Sequence, residues 1–239
     1  WSFMKIDVLT LFPEMFSPLN SSLTGKAMEK GLYSLTCHNI RDYSADKHKR
    51  CDDAPFGGGA GMVMTPQPIH DCIDAVDPNH EAHRIYMSPR GKTLTQAKVK
   101  ELSEEPRLLI LCGHYEGVDQ RVLDLDIDEE VSIGDYVLSG GEIPALVLID
   151  SVLRYVPDVL GNSQSTDEES FSDGLLEYPQ YTRPQEFCGL TVPEVLVGGN
   201  HKLVRGWRRA QSIELTRRVR PDLLPDGANS TRPDQGKGE

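Results

Sequence analysis

The chain has 239 residues, 38% of them apolar and 26% charged, with a formal net charge of −12. This length corresponds to one or two domains and supports a core without disulfides or metals, and the balance of residues excludes wholesale disorder. No apolar run approaches the roughly 18 residues of a membrane span, and a uniformly basic nucleic-acid binder is excluded, although a local basic patch is not.

Trp1, Ser2 and Phe3 read as a cloning remnant ahead of Met4, and no signal-peptide pattern is visible. The five cysteines, Cys37, Cys51, Cys72, Cys112 and Cys188, are odd in number and contain no C-x-x-C. That usage fits free thiols in a reducing compartment. Cys112-x-His114 is one pair and cannot fill a tetrahedral metal site, so Cys112 reads as a buried strand-end residue.

Residues 5–12 form an aliphatic first strand ended by Pro13. A short helix is expected over 24–30 and a second strand over 33–39. A polar stretch then leads into Ala54-Pro-Phe-Gly-Gly-Gly-Ala-Gly-Met62, too rich in glycine for a helix or strand interior. Residues 66–75 read as a helix and 84–87 as a strand that stops at Ser88-Pro-Arg-Gly91. Residues 93–105 read as a helix with a hydroxyl cap. Residues 107–112 are almost wholly apolar, as in a strand covered on both faces of a parallel sheet. Gly113-His-Tyr-Glu-Gly117, a helix from Asp119, a strand over 130–133 and Gly134-Asp-Tyr-Val-Leu-Ser-Gly-Gly141 follow. Residues 142–156 read as a strong helix with an apolar stripe of Ile143, Leu146, Val147, Ile149, Val152 and Leu153. The alternation predicts an α/β fold with a parallel sheet.

Residues 157–174 turn polar and acidic, and a second unit begins at Leu175. Within 202–220 there are seven basic residues against one acid, Glu214, and Trp207 lies among them. A one-signed cluster on an acidic chain, with aromatic residues able to stack, points to polyanion binding. The stretch from Pro225 is expected to be a disordered tail.

Three glycine-bearing loops, 88–91, 113–117 and 134–141, each follow a strand of the parallel set. Ligands in open α/β sheets sit beyond the carboxyl ends of strands, and glycines allow close main-chain approach. Neither a phosphate-binding G-x-x-x-x-G-K-[ST] nor a dinucleotide G-x-G-x-x-G is present. A site of main-chain groups with Tyr86, Met87, Ile133, Tyr136 and Leu138 suits an adenine-type ligand with little phosphate. Gly141→Val is expected to abolish binding there and to leave the fold largely intact.

Several motifs occur in order at close spacing: Leu11-Phe-Pro-Glu-Met-Phe16, Pro55-Phe-Gly-Gly-Gly-Ala-Gly-Met62, Leu111-Cys-Gly-His-Tyr-Glu-Gly117, Ser132-Ile-Gly-Asp-Tyr-Val-Leu-Ser-Gly-Gly-Glu142, Tyr181-Thr-Arg-Pro184 and Gly199-Asn-His201 with Trp207-Arg208. Together they resemble the bacterial tRNA (guanine-N1)-methyltransferases, the TrmD family of the SPOUT superfamily, over about residues 4 to 224. The resemblance implies a deep trefoil knot in the parallel sheet domain, a small helical C-terminal domain that binds tRNA, a cytoplasmic homodimer and no membrane. The expected organisation is a knotted domain over 4–160, an interdomain loop over 161–174, the tRNA-binding domain over 175–224 and the tail over 225–239.

The same resemblance assigns S-adenosylmethionine to the three loops. Its binding positions become Tyr86, Met87, Ser88 and Pro89; Gly113, Tyr115, Glu116 and Gly117; and Ile133, Gly134, Asp135, Tyr136, Val137, Leu138, Gly140, Gly141 and Pro144. The tRNA-binding positions are Arg183, His201, Lys202, Arg205, Arg208 and Arg209. The substrate is the guanosine 3′ of the anticodon, preceded by another guanosine. Guanine N1 carries a proton, so a base must reach it, and charge then builds on O6. The family's aspartate base and assisting arginine become Glu169 and Arg154. Glu169 departs from the family by one methylene, and Asp173 and Asp167 are the alternative bases. The family also implies Mg2+, here without a dedicated protein cage. Two other readings stay open: a non-catalytic RNA-binding protein on the same fold, and a related methyltransferase acting on ribosomal RNA or a ribose hydroxyl.

Overall fold

The computed structural model describes residues 3–160 and 169–224. The chain divides into two compact units, residues 1–163 and 164–239.

The first unit is built on a five-stranded sheet. Its strands are β1 (Met4–Thr10), β2 (Tyr33–Asn39), β5 (His83–Thr93), β6 (Arg107–Cys112) and β7 (Glu129–Ser132). They lie in the order β2-β1-β6-β5-β7, every neighbouring pair parallel. Side chains alternate across the sheet. Ile6, Val8, Leu108 and Ile110 face a core shared with α1 (Ser22–Glu29), α3 (Gln96–Ser103) and α5 (Glu142–Leu153). Leu9, Leu109, Leu111 and Tyr86 face the opposite core, shared with α2 (Pro66–Val76) and α4 (Gln120–Asp126). Helices on both faces explain why β6 reads as a continuous apolar run.

Side-chain caps mark the starts of α4 and α3. Asp119 caps α4 by accepting from the Arg121 N–H at 3.0 Å. The helix expected over 93–105 is α3 over Gln96–Ser103, and its hydroxyl cap is Thr95, which accepts from the Lys98 N–H, while Thr93 at the expected start belongs to β5. The glycine-rich segment lies between two short antiparallel strands, β3 (Asp52–Asp53) and β4 (Val63–Met64).

Three expectations are corrected. The first strand ends at Thr10 rather than at residue 12, and a 3-10 helix to which the sequence reading assigns no element follows over Pro13–Asn20. The strand over 84–87 does not stop at Ser88: β5 continues to Thr93 through a bulge, with Met87 and Lys92 both paired to Val131. A bulge accommodates Pro89, which has no N–H to give a ladder. Gly91 is needed there, because a Cβ would fall 2.5 Å from the Glu130 and Val131 backbone. The third correction concerns α5, which buries Glu142, Ala145, Leu148, Ile149, Val152 and Leu153 while leaving Ile143 and Val147 exposed. That helix is apolar almost all round, so periodicity alone cannot select its buried face.

The second unit holds a two-stranded antiparallel ribbon, β8 (Glu186–Phe187) with β9 (Leu190–Thr191). The short helix α6 (Glu194–Val197) and the long helix α7 (His201–Val219) follow. It is therefore not purely helical. Asn200 caps α7 by accepting from the N–H groups of Lys202 and Leu203. Thr216 and Ser212 are the buried face of α7, and the Thr216 hydroxyl accepts from the Leu176 N–H at 2.9 Å.

Candidate functional site

A cavity of about 270 Å3 opens at the bulge of β5 and beyond the carboxyl ends of β6 and β7. All the cofactor positions expected from sequence line it except Asp135. The three loops are thus brought together by the strand order, since β5 lies between β6 and β7. Sequence reasoning missed Arg90, His114, Val118, Val131, Ser132 and Ser139, which also line it. The signal for His114 is its place between Gly113 and Tyr115 in the glycine-bearing loop.

The loops are tied to each other and to the sheet. The Gly141 N–H donates to the Gly113 carbonyl at 2.9 Å. Behind them the buried Glu142 carboxylate accepts from the Thr10 hydroxyl at 2.6 Å and lies 2.7 Å from His114 Nε2. The glycine-rich segment also abuts the site. The Glu116 N–H donates to the Met62 carbonyl at 3.0 Å, and the Met64 N–H to the Gly117 carbonyl at 2.9 Å.

Close packing sets the glycine positions. A Cβ on Gly141 would stand 2.8 Å from the Cys112 Cα and 3.0 Å from the Gly113 nitrogen. Gly141 is therefore required by the approach of α5 to β6, not by a ligand alone. The expectation that Gly141→Val leaves the fold intact is corrected accordingly. Burial raises the Tyr86 phenol above its ordinary value, with the Glu130 charge adding to the effect. Burial likewise holds the Cys112 thiol protonated, so it is no nucleophile. Arg90 at the rim pairs with Glu130 at 3.2 Å. Among the described residues no three His, Cys, Asp or Glu side chains converge on a possible metal position.

Arg154 belongs to the first unit, at the C-cap of α5, and is half-buried. Glu169 belongs to the second unit, also half-buried, where its carbonyl accepts from the Ser172 N–H and hydroxyl. Asp173, one of the alternative bases, forms an ion pair with Arg209. Asp167, the other, and residues 161–168 and 225–239 lie outside the described residues.

The predicted tRNA-binding side chains gather in the second unit. Lys202, Arg205 and Arg209 are exposed and share one face of α7 at i, i+3 and i+7. His201, at the first turn, and Arg183, before β8, are exposed as well. Arg208 is half-buried, its guanidinium 4.7 Å from the centroid of the Tyr178 ring.

Fold and cavity define the class: an α/β protein whose ligand site is made of glycine-bearing loops at the carboxyl edge of a parallel sheet. A profile of the family tRNA (Guanine-1)-methyltransferase TrmD matches residues 4–226. Named relatives agree over nearly the whole length. The tRNA (guanine-N(1)-)-methyltransferase of Alkaliphilus metalliredigens is 56% identical over 226 residues, covering 92% of each chain. That of Alkaliphilus oremlandii is 57% identical over 231 residues and 93% of each chain. That of Geobacter sulfurreducens is 53% identical over 223 residues, 92% of this chain and 91% of its own. The chain belongs to the tRNA (guanine-1)-methyltransferase TrmD family and is an enzyme of that family.

Proposed function

We propose that this chain transfers a methyl group from S-adenosylmethionine to N1 of the guanosine 3′ of the anticodon in tRNA. The observation that carries the reading is the family match over 4–226, whose motif loops are the ones lining the cavity. The cavity suits an adenine-type ligand. Its lining includes Gly113, Gly117, Gly134 and Gly140, the apolar side chains of Met87, Ile133 and Leu138, and, among the described residues, no lysine. When bound, S-adenosylmethionine supplies an already activated methyl group on a sulfonium.

The protein's part is then to align, deprotonate and stabilise. The three loops hold the donor in one orientation, which converts an encounter into a positioned reaction. Glu169 takes the N1 proton and Arg154 stabilises the charge that grows on O6. The basic face of α7, with Arg183, holds the RNA phosphates. Mg2+ would be bound through a single carboxylate, water and the RNA's own oxygens, since no dedicated cage is present among the described residues.

The proposal includes the arrangement implied by the family motifs: a trefoil-knotted domain over 4–160, a loop over 161–174, a tRNA-binding domain over 175–224, and a cytoplasmic homodimer that completes each active site across two chains. No helix among the described residues is long and apolar enough to cross a membrane. The exposed Ile143 and Val147 on α5 supply an apolar face suited to a second copy.

Transfer of labelled methyl groups to a panel of RNAs, with the product nucleoside identified, tests the activity. 1-Methylguanosine in tRNA is expected. A 2′-O-methyl product, or labelling of ribosomal RNA only, would overturn it. Sedimentation of a monomer at assay concentration would overturn the dimer.

A further inference from the structure

The second unit carries a cavity of about 380 Å3 that is distinct from the three-loop site. The rings of Trp207 and Tyr181 stand there with centroids 6.2 Å apart and planes tilted by 59°, an open wedge rather than a stack. The Arg208 guanidinium lies over the Tyr178 ring on one wall. Arg183 also lines it, Leu196 and Val204 are part of its apolar lining, and among the described residues no aspartate or glutamate lines it.

We propose that this cavity receives one unstacked nucleobase of the bound RNA, with the base against the Trp207 indole and its phosphate beside Arg183. The inference deepens the tRNA reading above and rests on it. Three features select this occupant. Aromatic walls favour a planar ligand, because every base has a π-face that can stack on an indole or phenol. The exposed Arg183 guanidinium favours an anion and disfavours a basic peptide. The volume lies at the low end of the roughly 300–1,000 Å3 of small-molecule sites, which suits a single base with its ribose. The phosphate contacts of α7 carry no sequence information. A base held in this wedge would instead require a nucleotide free to leave its helix, so the site selects RNA by shape.

The chain has two tryptophans, Trp1 and Trp207, so Trp1→Phe makes Trp207 the sole indole reporter. Full-length Trp1→Phe protein is titrated with a tRNA transcript bearing guanosine 3′ of the anticodon. Trp207 emission is expected to be quenched along the same curve as binding followed by anisotropy of the labelled transcript. Trp207→Leu is expected to weaken tRNA binding roughly tenfold or more, the scale of one base–aromatic stack. Its log–log salt slope should be unchanged, because no phosphate contact is lost, and Trp207→Phe should restore most of the affinity. Thermal melting and titration with S-adenosylmethionine report whether each variant is folded, and the quenching arm needs no change at Trp207. Saturating tRNA binding with unquenched emission would overturn the cavity assignment alone. Emission that changes with protein concentration in the absence of RNA would assign the cavity to a second copy of the chain and also overturn it. A wild-type chain that binds no tRNA would overturn the functional reading and the cavity together.

Discussion

His114 Nε2 lies 2.7 Å from a carboxylate oxygen of Glu142, joining the loop after β6 to the first turn of α5. The other Glu142 oxygen accepts from Thr10 at the end of β1. Glu142 is thus a buried strut behind two of the three cavity loops. Glu142→Ala leaves the Thr10 hydroxyl and the His114 ring without this acceptor, and should cost about 1–3 kcal/mol. It should also weaken S-adenosylmethionine binding, because the loops lose their common anchor. Urea unfolding and calorimetry check both. A folded variant with unchanged cofactor affinity would mean that the strut serves stability alone.

Acid should unfold the first unit through a second buried group of charges. Arg107 donates to Asp7 at 2.9 Å and to Asp77 at 3.2 Å, and Arg84 donates to Asp77 at 2.8 Å. Burial raises the Asp7 carboxyl, but hydrogen bonds from His38 and Arg107 outweigh it and hold it below its ordinary 3.8. Burial likewise opposes, and Arg84 with the Glu81 and Ala82 N–H groups overrides, at Asp77. A carboxyl depressed in the folded state binds its proton more readily when unfolded. Its stabilisation is therefore present above pH 3.8 and is lost as pH falls from there through the folded value. The urea midpoint should accordingly fall steeply over that range. Asp7→Asn should flatten that fall, and at neutral pH should cost on the order of 3 kcal/mol by leaving Arg107 underpaired. An unaltered acid limb in Asp7→Asn would remove Asp7 from the account.

Gly141→Ala places a methyl group against the Cys112 backbone, so it should lower stability by about 1–3 kcal/mol as overpacking does. Cofactor binding should weaken with it. Gly58→Ala is the comparison. A Cβ there meets nothing within 4 Å, but φ is +77°, and the left-handed backbone alone costs about 1–2 kcal/mol. Its S-adenosylmethionine affinity should be that of wild type. Equal loss of cofactor affinity in both variants would show that strain in the loops, not contact with β6, sets the site.

Single-turnover methyl transfer addresses the base. Glu169→Gln keeps size and loses the proton acceptor, so the rate should drop about a hundredfold or more. Glu169→Asp keeps a carboxylate, one methylene shorter, and should remain active. Asp173→Asn breaks an exposed pair with Arg209, worth about 0–1 kcal/mol, and should cost little. If Asp173→Asn is the inactive variant and Glu169→Gln is not, the base has been placed on the wrong residue.

The salt dependence of tRNA binding measures the basic face. Each phosphate contact contributes about 0.7–0.9 to the log–log slope. Lys202→Ala with Arg205→Ala should lower the slope by about two such increments. Adding Arg208→Ala and Arg209→Ala should weaken binding further and leave the cofactor titration unchanged. An unaltered slope in the double variant would move the phosphate contacts off α7.

The strands themselves were legible in the sequence. Arg107–Cys112 falls where its apolar run places it, because a strand covered on both faces has no polar side to interrupt it, and Tyr33–Asn39 is also found as expected, as a half-buried edge strand. The glycine loops after β6 and β7 and the basic helix were legible because each is a contiguous local pattern, whereas the loop expected at 88–91 is the bulge of β5. The family motifs are local as well, and they carried the chemistry that spacing could not. What only the tertiary structure decided depends on strand order. Thr10 meets Glu142 across 132 positions, and Arg107 meets Asp7 across 100, because β1 lies beside β6 and α5 begins where β6 ends. The bulge in β5, the buried face of α5 and the backbone contact of Gly141 belong to the same category. Periodicity specifies that a segment has a face to bury; which neighbour covers that face, and how closely two backbones approach, is settled only when distant segments pack together.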